Sequence, residues 1–203
     1  FSQAISDLAE QLLSNIANEY SYNSLSRISK IKSTHTVEKY INYLEESFIF
    51  FSVKRFSYKM KEQISSIKKI YCIDNGFIHA RAFSSSQNVG KLYENVVAIE
   101  LKKQELNEKI NFYYWKNSQQ EEVDFVIKEG IKIKQLIQVC YNLNNIEAKN
   151  REVRALLKAG KELNCKNLLV ITFDKESEEE TEWFGITSKI KFIPLWKWLL
   201  EGR

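Results

Sequence analysis

Apolar residues recur at Ile5, Leu8, Leu12 and Ile16, three to four positions apart, which predicts one buried stripe on a helix across Phe1–Tyr20. A second short helical stretch runs from Tyr22 to Lys30, with Leu25 and Ile28 as its apolar positions. The hydroxyls around Lys32–Thr36 suit a helix N-cap. The helix that follows presents Val37, Tyr40, Ile41, Leu44 and Phe48 on one side. Phe48–Val53 and Lys69–Ile73 are apolar runs rich in strand-forming residues, and they flank a basic segment.

Three helices followed by a two-stranded hairpin is the order of a winged helix-turn-helix. The stretch FIHARAFSSSQNVG, residues 77–90, carries a triple serine and ends in glycine, so it is the linker expected to divide the chain near residue 85. Beyond it, the pattern predicts a helix over Leu92–Leu106 and strands over Ile110–Trp115, Glu122–Lys128 and Lys132–Tyr141. The last two strands are joined at Glu129-Gly130. A long helix over Glu147–Leu163 follows, with Val153, Leu156, Leu157 and Leu163 as its stripe. Asn167–Asp174 is continuously apolar, as in a strand covered on both faces. A short strand with Pro194 and a tryptophan-rich helix close the chain over Ile190–Leu200.

Composition changes this picture little: 44% hydrophobic and 28% charged residues suffice for real cores. The net charge of +4 permits an acidic partner without demanding one. Three scattered cysteines with no CxxC pair favour a reducing, cytoplasmic setting over a disulfide framework or zinc site. No apolar run is long enough to span a bilayer, so no membrane partner is expected. The chain begins at Phe1 and its sole methionine is Met60, so a longer protein is expected, with this chain as a piece of it.

Candidate chemistry gathers in two places. Period-two alternation puts Asp124 on the face opposite Val123, Phe125 and Ile127, and Gln138 on one face with Lys134, Leu136 and Cys140. Glu94 precedes Val97 and Ala98 by one helical turn and so shares their buried side. Two carboxylates and an amide converging on one divalent cation would suit magnesium, which prefers oxygen ligands. Elsewhere, Lys54, Arg55, Lys59, Lys61, Lys68 and Lys69 stand against Glu62 alone, interleaved with Phe56 and Tyr58, as in a wing lying on phosphate. The same lysines would serve as protection of a sheet edge. The preceding helix presents Glu38, Glu45 and Glu46 against Lys39, which repels phosphate, while His35 and Asn42 are its candidates for base contact.

The order GKLYENVVAIEL, YYWK, EEVDFVI, LIQVCYN, REVRALLKA and LLVIT resembles the PD-(D/E)xK nuclease fold. More narrowly, it resembles the C-terminal region of a family of archaeal and bacterial AAA-type ATPases, which carry a nuclease-like domain behind a winged helix. STHTVEKYINYLEESFIFF and KKIYCIDNGF are similar to the stretch that follows the ATPase module there. The resemblance implies that Glu94 is the helix acid, Asp124 the central aspartate and Gln138 the acidic position of the ExK motif. Cys140 then occupies the place of the lysine that orients the attacking water, and a thiol brings no positive charge. Lys128 and Lys134 lie roughly 13 Å away along their strands, too far to substitute. Lys91, one turn from Glu94, is the replacement candidate.

The expected fold is therefore α+β: a winged helix-turn-helix at residues 1–85, then a restriction-endonuclease-like α/β domain with a mixed central sheet at 86–203. The expected function is a DNA- or partner-binding C-terminal module of an AAA-type ATPase, built on a degenerate nuclease fold. With no GxxxxGK[ST] loop here, ATP would bind only in an ATPase module upstream in cis. The alternative is a magnesium- or manganese-dependent DNA endonuclease using Glu94, Asp124, Gln138 and Lys91, with Glu94 and Asp124 as metal ligands. A third reading is a structural role in assembling the ATPase.

Overall fold

A computed structural model describes residues 2–81 and 89–201. The chain divides into two compact units, Phe1–Ile99 and Glu100–Arg203. No helix among the described residues is long and apolar enough to cross a membrane.

In the first unit α1 (Ser2–Ser14) is followed by β1 (Glu19–Tyr20), α2 (Tyr22–Ile28) and α3 (Thr34–Glu46). Then come β2 (Phe50–Lys54), α4 (Met60–Ser65), β3 (Lys68–Cys72) and α5 (Asn75–Arg81). The stripe of α1 meets Val37, Tyr40, Ile41 and Leu44 of α3, and Phe50, Ile70 and Cys72 of the strands, in one core. Each fully buried aliphatic side chain there contributes about 1.5–3 kcal/mol by leaving water. Ser33 caps α3, its hydroxyl accepting from the Thr36 amide.

Helix α1 stops short of the predicted Tyr20. Ala17 turns into left-handed backbone, at φ 59°, and its amide donates to the Ile70 carbonyl at 2.8 Å. That contact delivers β1 to the sheet, whose order is β1-β3-β2 and whose pairing is antiparallel, from Phe50↔Cys72 to Lys54↔Lys68. The predicted hairpin is real, but its connection holds α4, an exposed turn of helix tied down by Ser57 and Lys59 on Glu62. The predicted linker needs correcting at its start, because α5 occupies residues 77–81. The expected boundary near 85 lies outside the described residues.

Helix α6 (Val89–Leu106) runs through the division between the units. The second unit continues with β4 (Asn111–Lys116), β5 (Glu122–Glu129), β6 (Lys132–Val139) and α7 (Ile146–Glu162). It ends with β7 (Leu168–Thr172), β8 (Ser177–Trp183), β9 (Ile186–Pro194) and α8 (Leu195–Glu201). The sheet order is β4-β5-β6-β7-β9-β8. Strands β6, β7 and β9 run parallel, and the outer pairs are antiparallel. The mixed sheet matches the expectation. All five residues of β7 are buried, as its unbroken apolar run demands. The β5–β6 turn falls at Gly130, whose φ of 58° suits a residue without a side chain. Strand β8 was not anticipated, and β9 is longer than the short strand expected.

Candidate functional site

Glu94 and Lys91 lie in the first unit, and Asp124 and Gln138 in the second. Glu94 is almost wholly buried. Its Oε1 accepts from Lys69 Nζ at 2.9 Å and from the Tyr71 hydroxyl at 2.8 Å. Its Oε2 accepts from Lys91 Nζ at 3.0 Å, and Lys91 also donates to the Ala17 carbonyl. The neighbouring Asn95, also buried, bonds both backbone groups of Cys72 and locks α6 to the end of β3.

Lys69 corrects the expected phosphate set: it is 1% exposed and belongs to this ion pair, not to the outer basic face. Neither Lys69 as a partner of Glu94 nor Asn95 as the partner of Cys72 was identified from sequence. The available signal was the Glu94-Asn95 pair on the apolar side of a helix, since buried polar groups need hydrogen-bond partners.

Burial favours the neutral form of Glu94, but Lys69 and Lys91 outweigh it and hold the carboxyl below its ordinary range. The sign follows from linkage. A depressed pKa stabilises fully above the unfolded value of about 4.5 and is lost as pH falls through the folded value. Wild type is therefore expected to lose stability more steeply than Glu94→Gln as acid takes the first unit below that pH. Equal slopes in an acid titration followed by circular dichroism would contradict this.

In the second unit, Asp124 and Gln138 do come together. The β5–β6 ladder ends at Phe125↔Ile137, while β6 continues alongside β7 through Val139↔Ile171. Where the strands part, side chains replace ladder bonds: the Val139 amide donates to Asp124 Oδ2 at 2.9 Å, and the Asp124 amide donates to Gln138 Oε1 at 3.2 Å. The Gln138 amide nitrogen donates to Glu152 Oε2 on α7 at 2.6 Å. Glu152 is held in turn by Arg151 at 2.6 Å. The sequence reading missed Glu152, which lies on the same helix as the apolar stripe it did find. Cys140 is buried beside this group, and burial, then Glu152 and Asp124, push its thiol up to about 11. It stays protonated at neutral pH and supplies no cation.

A bound magnesium or manganese ion would activate water and screen phosphate charge. The residues present do not fit one. Glu94 is neutralised by two ammonium groups. Gln138 turns its oxygen to a backbone amide and its nitrogen to a carboxylate, an orientation fixed because those partners only donate and only accept, respectively. Among the described residues, no group of three or more His, Cys, Asp or Glu is placed to hold a metal.

The remaining basic residues stay outside. Lys54 at the end of β2 and Arg55, Lys59 and Lys61 on the β2–β3 connection are exposed, and Lys68 is half-buried at the start of β3. Lys59 shares Glu62 at 2.9 Å, a surface pair of small energy. Tyr58 is 73% exposed, whereas Phe56 is buried and serves the core. His35 and Asn42 are exposed on α3, with His35 3.9 Å from Glu38.

Comparison with known proteins finds two family models along the chain. Residues 89–198 match a domain of unknown function, DUF4143, and residues 2–88 match another, DUF8612. An uncharacterized protein of Methanocaldococcus jannaschii is 34% identical over 195 residues, covering 93% of this chain and 42% of its own. An uncharacterized protein of Haemophilus influenzae is 25% identical over 121 residues, covering 60% of this chain and 29% of its own. The chain thus spans less than half the length of either relative.

Proposed function

The chain belongs to the DUF4143 family, a domain found in AAA-ATPase-associated C-terminal regions, and from that premise we propose that it is a DNA-binding module without cleavage chemistry of its own, worked by an ATPase module of the same protein. The observation that carries this reading is the end of β2 with the β2–β3 connection. Four exposed cations within eight residues, Lys54, Arg55, Lys59 and Lys61, meet one acidic neighbour, Glu62, and an exposed tyrosine. Cations so placed neutralise phosphates and release counterions, which gives affinity without base specificity. The order of three helices and a three-stranded antiparallel sheet in the first unit supports a winged helix that would present this connection as its wing. Binding of labelled DNA by wild type and by a variant with those four residues changed to Ala, across a salt series, is the test.

A second reading, a nuclease-like second unit with residual endonuclease activity, is favoured by one observation: Asp124, Gln138 and Glu152 converge where β5 and β6 part. Against it stand the neutral Cys140 thiol and the engagement of each polar group inside the protein. No cleavage by wild type is expected with manganese on linear, flapped or branched DNA. Cleavage abolished by Asp124→Ala would overturn the binding-module reading. Cleavage gained by Cys140→Lys alone would identify a nuclease site that has lost its lysine, and silence in both proteins upholds the module.

A further inference from the structure

The first unit holds an open cleft of about 550 Å³ that the basic connection borders but does not fill. The volume is within the roughly 300–1,000 Å³ of small-molecule sites. One wall is the end of α4 and the start of β3, from Ile64 to Lys68; the other is β1, the start of α2 and the first turns of α3.

Its chemistry is mixed in a particular way. Tyr20 and Tyr22 set two aromatic rings 6.1 Å apart at 59°. The Tyr20 hydroxyl is occupied by Ser52 at 2.7 Å, so Tyr20 has its ring rather than its hydroxyl to give a ligand. Tyr22 and Glu38 line the same cleft, and burial, then the Glu38 charge, raise the Tyr22 pKa. Ile64 is 62% exposed on the facing wall. Asn23 and Glu38 bring an amide and a carboxylate to the lining, and Lys68, whose strand neighbour is Lys54, brings an ammonium. A ligand that satisfies all of these is flat and apolar on its faces, carries hydrogen-bond donors on its edge, and is joined to an anion.

We propose that this cleft receives an unpaired nucleobase of a single strand, stacked against Tyr22 and Ile64 and read at its edge by Glu38, with the flanking phosphates on Lys68 and Lys54. The inference rests on the nucleic-acid reading above and narrows it to single-stranded or extruded bases. A base inside a duplex has its faces covered by its neighbours and cannot enter without leaving the stack. Stacking on an aromatic ring tolerates any base, whereas a carboxylate accepts from an exocyclic amino group such as that of cytosine and meets on unpaired thymine only a ring N–H flanked by two repelling carbonyls.

The test is fluorescence anisotropy of the 203-residue chain with labelled oligo(dC), oligo(dT) and a duplex of equal length. Single strands are expected to bind about tenfold more tightly than duplex, and Tyr22→Ala to remove about that factor, while Tyr22→Phe retains it. Ile64→Asp, on an exposed side chain that the fold does not need, should cause the same selective loss, and it carries the test if Tyr22→Ala does not fold. Glu38→Gln should erase a preference for oligo(dC) over oligo(dT). Equal affinity for single strand and duplex overturns the cleft assignment and leaves DNA binding standing. Binding of neither overturns both. Displacement by a nucleoside monophosphate at the strand's own concentration overturns the single-strand assignment in favour of a free nucleotide.

Discussion

Lys69→Met is expected to destabilise the first unit by about 3–5 kcal/mol, because removing one partner of a buried ion pair strands the other charge. Lys69 and Glu94 side chains are 1% and 6% exposed, with 2.9 Å between nitrogen and oxygen. Lys91 stays on the second oxygen of Glu94 from a site that is 31% exposed, which places the loss toward the lower end of that range. Adding Glu94→Gln to Lys69→Met should recover much of it, since the residual charge disappears with the carboxylate. Lys61→Ala on the exposed connection should cost no more than about 0.5 kcal/mol. Trp115, Trp183, Trp196 and Trp198 all lie in the second unit, so tryptophan fluorescence does not probe the first unit itself. Amide hydrogen exchange along β3 reports it directly. A loss no larger than that of Lys61→Ala would contradict the buried pair.

Much of the second unit is legible from period alone. The stripe of α7, the Gly130 turn and the unbroken apolar run of β7 each impose one local structure, and their order leaves little choice of sheet. The meeting of Asp124 and Gln138 follows from two strands joined by a tight turn, which fixes their register. Glu152 was hidden because a helix of high charge density shows which of its faces is apolar, and not which of its acids sits at the edge of that face.

Strand β8 was hidden for a different reason. SEEETEW carries four glutamates, poor strand formers, on both faces. Its conformation comes from its partner: Glu178 lies opposite Lys191 and Glu180 opposite Lys189, and Glu179 is held by Lys149 and Lys175. In the first unit, β3 is covered over four consecutive residues, so alternation could not show that Lys69 points inward while Lys68 remains half-exposed. Counting charges along the segment therefore assigned Lys69 to the wrong surface. The two residues of β1 are too few to leave any periodic signal.

A module that binds DNA through the β2–β3 connection must show it in the salt dependence. Each phosphate neutralised contributes about 0.9 to the slope of log affinity against log salt on duplex DNA. Changing Lys54, Arg55, Lys59 and Lys61 together to Ala removes four exposed cations that no core contact requires. The ion pair lost with Lys59 is solvent-exposed, so the fold should be unaffected. The most direct measurement is the affinity of wild type and this fourfold variant for one labelled duplex across a salt series. The account predicts that wild type binds with a steep negative slope and that the variant's slope is shallower by about 3–4 units. No binding by wild type, or an unchanged slope in the variant, would contradict it and leave those cations as guards of a sheet edge.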